Sequence, residues 1–386
     1  MKKLAIITTH PIQYYAPVFK LLHDRGQIEI MVYYTWGEKA KVKFDPGFGA
    51  TIAWDIPLLE GYPFAWVNNT ASDPGSHHFK GIINPGLIQQ VQDWKPDAVL
   101  IFGWAYQSHL RCLRYFKGRL PMYFRGDSTL LDEPKGLKKI LRSVFLNWVY
   151  KYVDFAFYTG SNNKDYFKKH GLKDMQLIFA PHAVDNDRFS ADRSAEAAAL
   201  RKQVDIGDSD ILVLFAGKFE DKKSPLELLD AFLLLDKTDV HLLFVGNGDL
   251  EGVLKTRAKG TKNIHFIDFQ NQTQMPMIYQ ACDLFCLPSK GPGESWGLAV
   301  NEAMACGKAV LVSDKAGCAI DLVKKDFNGV IFESVNKDAL ANSLSELTQS
   351  KKRLTEMGAN SKSLISDWSF FNIAIAIEHK LYLATR

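Results

Sequence analysis

The stretch "GPGESWGLAVNEAMACGKAVLVSD", residues 291–314, contains two carboxylates, Glu294 and Glu302, that stand eight positions apart. The apolar run "LFCLPS" precedes it and predicts a strand that is buried on both faces. The segment "KGPGES" is then the turn at the carboxyl end of this strand, because glycine and proline favour turns. A helix is predicted to begin near Gly297 and to run through "LAVNEAMACG", with a glycine suited to its C-terminal cap.

The start of this helix predicts an anion site. The backbone N–H groups at Gly297 and Leu298 have no intrahelical acceptor and carry the positive end of the helix dipole, which favours phosphate. Glu294 in the loop and Glu302 in the second turn add two hydrogen-bond acceptors beside that anion. A nucleotide diphosphate linked to a sugar needs donors for its phosphates and one carboxylate each for the ribose and sugar hydroxyls. The alternative is that Glu294 caps the helix and Glu302 is a surface charge.

A second group of candidate residues lies in "LFAGKFEDKKSPLELLDAF", which begins with another predicted strand. Gly217 ends this strand, and Lys218 and Lys223 stand five positions apart across the turn before a helix. Both ammonium groups could converge on one anion and stabilise a developing phosphate charge without a metal. The alternative is that they are solvated loop charges. The nearby "GNG" at 246–248 does not complete G-x-G-x-x-G and predicts a tight turn beside a ligand instead.

Short apolar runs of the same kind recur along the whole chain, six in each half, and most are separated by segments with helical spacing. Continuous apolar runs that alternate with helices predict parallel sheets, here two doubly wound domains of the α/β class. Ligands of such sheets bind at the carboxyl ends of the strands, so the cleft between two domains is the natural site. The polar segment 181–210 is the predicted boundary, and residues 37–80 predict an irregular insertion of loops and short strands.

Composition excludes several classes of protein. The 386 residues carry a net charge of only +4, too weak for the cationic face of a nucleic-acid binder. The five cysteines lack zinc spacing, and no apolar run reaches the ~18 residues that span a bilayer. The N-terminal apolar run is too short for a signal peptide. These features predict a reduced, cytoplasmic protein.

The segment 135–153, "KGLKKILRSVFLNWVYKYV", mixes lysine and arginine with large apolar residues. One interpretation is an amphipathic helix that packs on the first domain. The other is a helix that contacts a membrane surface, which would place the protein peripherally at the inner face of the membrane.

Together, "AGKFEDKKS", "FVGNGDLE", "IHFIDFQNQ" and the stretch at 291–314 resemble glycosyltransferase family 4, whose members have the GT-B fold. The resemblance covers about residues 175–335 and includes the family's E-x7-E motif at Glu294 and Glu302, followed by Glu-Ala-Met-Ala-x-Gly. It implies an N-terminal acceptor-binding domain at 1–190 and a nucleotide-sugar-binding domain at 191–365. A final helix at 366–386 would cross back onto the first domain.

The resemblance also implies roles for individual residues. Lys218, where the family usually has arginine, and Lys223 would hold the diphosphate with the help of Gly217. Glu302 would bind the ribose, and Glu294 would bind the donor sugar near the reacting carbon. The remaining donor-side residues are the two N–H donors of the helix start and the turn beside the base: Gly297, Leu298, Phe269 and Gln270.

The first half departs further from the family. Its first loop, "TTHPIQYYAPVF", lacks the family's glycines, but it follows a predicted strand, which makes His10 and Gln13 candidates for acceptor or phosphate contacts. In "YFRGDSTLL", Arg125 or Asp127 could replace a histidine that the family has near the sugar. His182 is predicted to be structural.

The implied activity is transfer of a sugar from a nucleotide-diphosphate sugar to an acceptor hydroxyl, with retention at the anomeric carbon. The acceptor would be a carbohydrate or a lipid-linked sugar, in polysaccharide, glycolipid or glycoconjugate biosynthesis. No cofactor and no metal are expected, because no Asp-x-Asp motif stands in a suitable loop. The alternatives are an epimerase or hydrolase of the same fold, or a protein that binds nucleotide sugars without turnover.

Overall fold

The computed structural model describes residues 1–38, 43–45, 50–133 and 136–383. The chain forms two compact units, each with its own parallel sheet. The first comprises Met1–Lys43, Ile56–Pro181 and Phe370–Arg386, and the second comprises Phe44–Asp55 and His182–Ser369. The main chain therefore passes from one unit to the other at the start of the predicted boundary segment.

Seven parallel strands form the sheet of the first unit. In spatial order they are β5 (Phe64–Trp66), β2 (Glu29–Tyr34), β1 (Lys3–Thr8), β6 (Ala98–Phe102), β7 (Met122–Arg125), β8 (Phe155–Tyr158) and β9 (Leu177–Phe179). Six of them are the apolar runs of the first half of the sequence. The seventh, β5, comes from the segment predicted to be irregular, where three residues are too few to show a period. Residues 39–42 and 46–49 of that segment lie outside the described part of the chain.

Helices surround this sheet, and their bounds are α1 (Ala16–Arg25), α2 (Leu87–Trp94), α3 (Gln107–Phe116), α4 (Leu137–Tyr150), α5 (Ser161–Lys169) and, at the C-terminus, α15 (Phe370–Leu383). The last helix belongs to the first unit, although it comes after the whole of the second unit in the chain, because it packs against α1. Glu378 forms a two-pronged ion pair with Arg25, with both N–O distances at 2.9 Å. Such paired, planar geometry holds the helix in one register.

The second unit contains the six apolar runs of the second half as six parallel strands. Their spatial order is β12 (Ile264–Ile267), β11 (Val240–Val245), β10 (Ile211–Ala216), β13 (Leu284–Leu287), β14 (Ala309–Ser313) and β15 (Gly329–Phe332). The prediction of two doubly wound parallel sheets is thus confirmed. A separate pair of short strands, β3 (Lys43–Asp45) and β4 (Ala50–Ile52), forms a two-stranded sheet.

The helices of the second unit are α6 (Asn186–Ser190), α7 (Ser194–Gln203), α8 (Pro225–Leu233), α9 (Glu251–Arg257), α10 (Met275–Ala281), α11 (Leu298–Ala305), α12 (Ala319–Leu322), α13 (Lys337–Leu347) and α14 (Lys351–Ile365). Two of them, α6 and α7, occupy the predicted boundary segment, which is therefore not a plain linker. Arg201 anchors α7, because its guanidinium donates to the carbonyls of Ala281 and Asp210 at 2.9 and 2.6 Å.

Helix α14 packs closely on the residues that follow α11. A Cβ atom built on Gly358 would lie 2.1 Å from the carbonyl oxygen of Gly307, a backbone atom that cannot swing aside. Gly252 in α9 offers a contrast, since a Cβ there meets no atom within 4 Å. The two glycines thus have the same helix propensity but opposite steric surroundings.

We expect Gly358→Ala to lower the free energy of unfolding by about 1–3 kcal/mol, because overpacking outweighs the gain in helix propensity. The matched variant Gly252→Ala should be neutral or stabilising by up to about 1 kcal/mol. Urea unfolding monitored by circular dichroism measures both. Equal effects of the two substitutions would show that the contact between α14 and Gly307 is not close-packed.

Candidate functional site

The carboxyl ends of β10 and β13 carry the residues that the sequence singled out in the second unit. These strands are neighbours in the sheet, so the loops that follow them also lie side by side. Lys223, in a 3₁₀ turn after β10, forms an ion pair with Glu294, in the loop after β13. The Glu294 carboxylate also accepts a hydrogen bond from Ser289 Oγ at 2.9 Å. The side chain of Glu294 is only 11% exposed, so its ion pair with Lys223 is largely shielded from water.

Close backbone contacts hold the acidic loop in place. The N–H of Gly317 donates to the carbonyl of Glu294 at 3.1 Å, and the N–H of Cys318 donates to that of Trp296 at 2.9 Å. A Cβ on Gly317 would lie 1.8 Å from the carbonyl oxygen of Ser295. Only glycine fits at 317, and the loop after β14 thereby fixes the loop that carries Glu294.

Helix α11 begins at Leu298, as predicted, and Gly297 is its N-cap with φ +99°. A Cβ at Gly297 would lie 2.8 Å from Leu287 Cδ2, so glycine is needed there for space as well as for backbone conformation. Because Gly297 holds the capping position, Glu294 does not cap the helix. The helix start keeps its N–H groups at the carboxyl edge of the sheet, where they suit an anion.

Glu302 lies inside α11 and is only 4% exposed. The hydroxyl of Tyr279, a fully buried side chain on α10, donates to Glu302 Oε2 at 2.8 Å. The interpretation of Glu302 as a surface charge is therefore wrong. A buried carboxylate is costly unless it is hydrogen-bonded, so this position is under a specific constraint. Sequence reasoning missed Tyr279, because an aromatic residue in an apolar helix looks like ordinary core.

Lys218 is half-buried and follows Gly217 at the end of β10. The loop that contains it is tied to the "GNG" turn after β11: Gly217 donates to the carbonyl of Val245 at 3.0 Å, and Phe219 donates to that of Asn247 at 2.9 Å. A Cβ on Gly246 would lie 2.0 Å from the carbonyl oxygen of Gly217. The glycine turn therefore allows two backbones to approach each other.

Asn247 in this turn also positions the predicted base-side residues. Its side-chain oxygen accepts from the N–H of Phe269 at 2.7 Å, and its amide nitrogen donates to Asp268 at 3.2 Å. Phe269 and the adjacent Gln270 are each half-buried. Sequence reasoning missed Asn247 as a positioning residue, because its partner lies 22 residues away.

A further lysine, Lys290, links the loop after β13 to the residues that follow β10. Its ammonium group pairs with Asp221 at 2.7 Å and with Glu227 at 3.0 Å. These two carboxylates raise the pKa of Lys290, which therefore stays charged at neutral pH. The sequence alone does not single out Lys290, since a lone loop lysine carries no signal.

The first-unit candidates lie at the carboxyl ends of β1 and β7. His10 is half-buried. Its Nδ1 shares a hydrogen bond with Thr9 Oγ1 at 2.9 Å, and its ring lies edge-on to the ring of Trp36. Gln13 and Asp127 are half-buried. Their predicted contacts with a ligand stay predictions.

Arg125 differs from the other candidates because it is fully buried. Its guanidinium donates to the carbonyls of Ala180 and Pro181, each at 2.9 Å, and lies over the ring of Tyr15. These contacts hold Ala180 and Pro181, the last residues of the first unit before the chain crosses over. The predicted contact of Arg125 with the sugar stays a prediction.

Within the described part of the chain, one group of side chains could hold a metal ion. Asp73, His77 and His78 each offer a ligand atom, and these atoms lie within 4.8 Å of one another. The group is on the surface of the first unit, whereas Lys223 and Glu294 belong to the second. The lysine and glutamate cluster itself contains no set of metal ligands among the described residues.

Solved structures share this two-domain architecture. The crystal structure of Anabaena HepE in complex with UDP and glucose aligns with a TM-score of 0.72 at 18% identity, covering 99% of this chain and 100% of that one. Sucrose-phosphate synthase from Thermosynechococcus elongatus aligns with a TM-score of 0.72 at 16% identity, covering 100% of both chains. The fold is therefore the two-domain GT-B architecture of these enzymes, as predicted.

Residues 196–364 match the family model described as "Glycosyl transferases group 1". The D-inositol 3-phosphate glycosyltransferase of Segniliparus rotundus is 30% identical over 192 residues, which are 47% of this chain and 41% of the relative. The lipopolysaccharide 1,2-N-acetylglucosaminetransferase of Salmonella typhimurium is 29% identical over 196 residues, 47% of this chain and 51% of the relative. The chain thus matches only about half the length of these relatives, and the matched family segment contains Lys218, Lys223, Glu294 and Glu302.

We expect Tyr279→Phe to destabilise the protein by about 1.5–3 kcal/mol, because it removes a hydrogen bond to the buried Glu302 carboxylate. The control is Tyr382→Phe, which removes a hydrogen bond from an exposed tyrosine to the carbonyl of Gln27 and should cost less than about 1 kcal/mol. Urea unfolding measures both values. A neutral Tyr279→Phe would mean that Glu302 does not depend on this phenol.

Proposed function

We propose that this protein transfers a sugar from a nucleotide-diphosphate sugar to an acceptor hydroxyl. The observation that carries the proposal is the cluster of Lys223, Ser289 and Glu294 at the start of α11. It combines cations and helix N–H donors for a diphosphate with carboxylates for hydroxyl groups. The cluster lies in the segment that matches "Glycosyl transferases group 1", which supports the same chemistry.

A UDP-sugar is the donor that we propose to test first. The similar Anabaena HepE structures are described as complexes with UDP, with UDP and glucose, and with UDP-glucose. In this chain the diphosphate would lie between Lys218, Lys223 and the N–H groups of Gly297 and Leu298. Glu302 would accept the ribose hydroxyls, with the turn at Phe269 and Gln270 beside the base.

For the acceptor we propose a carbohydrate or a lipid-linked sugar, held by the first unit. Relatives of the second half are named for D-inositol 3-phosphate, for phosphatidyl-myo-inositol and for lipopolysaccharide, so phosphorylated or lipid-borne carbohydrate recurs among them. His10, Gln13 and Asp127 at the carboxyl edge of the first sheet are the candidate contacts. Such an acceptor fits a role in glycolipid, glycoconjugate or polysaccharide biosynthesis.

The proposed mechanism retains the configuration of the anomeric carbon. The glycosidic bond breaks to the diphosphate oxygen, whose growing negative charge is offset by Lys218, Lys223 and the start of α11. The acceptor hydroxyl attacks from the same face, and its proton passes to the leaving phosphate oxygen. Glu294 binds sugar hydroxyls rather than attacking carbon, because its carboxylate is already engaged by Lys223 and Ser289.

The alternatives predict different reactions with the same ligand. An epimerase or hydrolase would consume the nucleotide sugar with no acceptor present, and a binding protein would bind it without turnover. A thermal-shift screen against UDP-, GDP- and ADP-sugars identifies the donor, and incubation of that donor with and without candidate acceptors then separates the three functions. Acceptor-dependent release of the nucleotide is the result that we expect.

Lys223→Ala should weaken UDP binding and turnover by roughly tenfold or more, because it removes a phosphate contact and leaves Glu294 with an unpaired charge. The neighbouring Lys222 is the matched control, since it pairs with Glu220 and is 42% exposed. Lys222→Ala should change either value by less than about twofold. Calorimetry with UDP and a coupled nucleotide-release assay measure the two effects. Equal values for both variants would show that Lys223 does not contact the nucleotide.

With the donor and acceptor in hand, EDTA should leave most of the rate intact, because lysines and helix N–H groups supply the positive charge. NMR of the fresh product should show the anomeric configuration of the donor. A large loss of rate in EDTA would refute the metal-independent mechanism, and an inverted product would refute retention.

A further inference from the structure

Helix α4 has two apolar faces. Leu146, Val149 and Tyr150 are buried and pack it onto the core of the first unit. Five other apolar side chains are between 40% and 71% exposed: Leu137, Ile140, Leu141, Val144 and Phe145. With about 3.6 residues per turn, these five form one stripe on the side of the helix roughly opposite the buried face. The core of the protein itself therefore cannot cover them.

The exposed stripe continues into a group of aromatic side chains. Phe145 contacts the ring of Trp104 at 5.3 Å and that of Trp148 at 5.7 Å. Trp148 in turn meets Tyr152 at 5.4 Å. A contiguous apolar patch of this size on a folded unit indicates an interaction surface. Tryptophan and tyrosine at its border are typical of a surface that meets the region between water and lipid.

The charges around the stripe identify its partner. Helices α3 and α4 together carry five basic residues and no acidic one: Arg111, Arg114, Lys138, Lys139 and Arg142. The guanidinium of Arg114 lies over the ring of Trp148, 5.5 Å from its centre, which brings positive charge to the edge of the patch. Lys139 is paired with Glu133, whereas the other four have exposed side chains that carry positive charge into solvent.

We propose that α4 is a docking surface for the anionic face of a lipid bilayer. The apolar stripe would enter the level of the headgroups, while the lysines and arginines contact lipid phosphates. A second copy of this chain fits less well, because like charges would face each other across the contact. The helix cannot cross the bilayer: its 14 residues span about 21 Å, and no helix in the described ranges is long and apolar enough to do so.

This surface corresponds to the second interpretation of segment 135–153, of which Lys135 lies outside the described residues. The packing interpretation holds for the C-terminal turns of α4, and the membrane interpretation concerns its N-terminal turns. The proposal does not depend on the donor site, since all of these residues belong to the first unit.

Sedimentation with vesicles tests the proposal on the full chain. Wild type should bind vesicles of phosphatidylglycerol and phosphatidylcholine, bind pure phosphatidylcholine much more weakly, and be partly released by high salt. The double variant Ile140→Ser/Val144→Ser should bind the anionic vesicles roughly tenfold or more weakly. The matched control Ile320→Ser/Val253→Ser changes two exposed apolar residues of the second unit and should bind like wild type.

A charge test separates lipid phosphate from plain apolar adsorption. Lys138→Glu/Arg142→Glu should also reduce binding to anionic vesicles, whereas Lys352→Glu, which changes a side chain that is 87% exposed, should not. Circular dichroism and the urea midpoint of Ile140→Ser/Val144→Ser should match those of wild type, which shows an intact fold. Wild-type vesicle binding by Ile140→Ser/Val144→Ser would overturn the proposal. It would also be overturned if wild type forms a dimer and this variant is a monomer that still binds the vesicles.

Discussion

A parallel sheet brings the carboxyl ends of all its strands to one edge, and the candidate site depends on this constraint. Lys223 and Glu294 are 71 residues apart in the chain, yet they form an ion pair because they follow the adjacent strands β10 and β13. The loop after β14 joins them through Gly317, whose missing side chain leaves room for the backbone of the acidic loop. Strand order, rather than any local motif, makes one site out of three separate loops.

Electrostatics give this site its chemical character. Cations and helix N–H groups gather around carboxylates that are largely withdrawn from water, and Lys223, Glu294 and Glu302 each have a partner in the second unit. Such prearranged groups could respond to a developing phosphate charge without reorganising, which is a main way in which enzymes lower a barrier. The burial of Glu302 against Tyr279 belongs to the same design, since a buried acceptor holds a fixed direction.

The first unit is arranged differently. Its one buried guanidinium among the predicted site residues, Arg125, is used to hold backbone carbonyls at the crossing between units. Its most unusual surface is α4, where an apolar stripe faces outward on a helix that also carries exposed basic residues. In our two proposals, the donor site and the membrane-docking surface belong to different units of the chain.

The sequence by itself determined the two parallel sheets, because strands buried on both faces must be continuously apolar and the helices between them keep their own period. It also located the acidic loop and the start of α11, since glycines and a following apolar helix mark that turn locally. Only the tertiary structure decided that Glu302 is buried, that Arg125 is buried against backbone carbonyls and that the stripe of α4 is exposed. These outcomes depend on partners distant in sequence, such as Tyr279 and Ala180, and no local pattern records them. Burial is a property of what packs against a residue, and that is set by the fold as a whole.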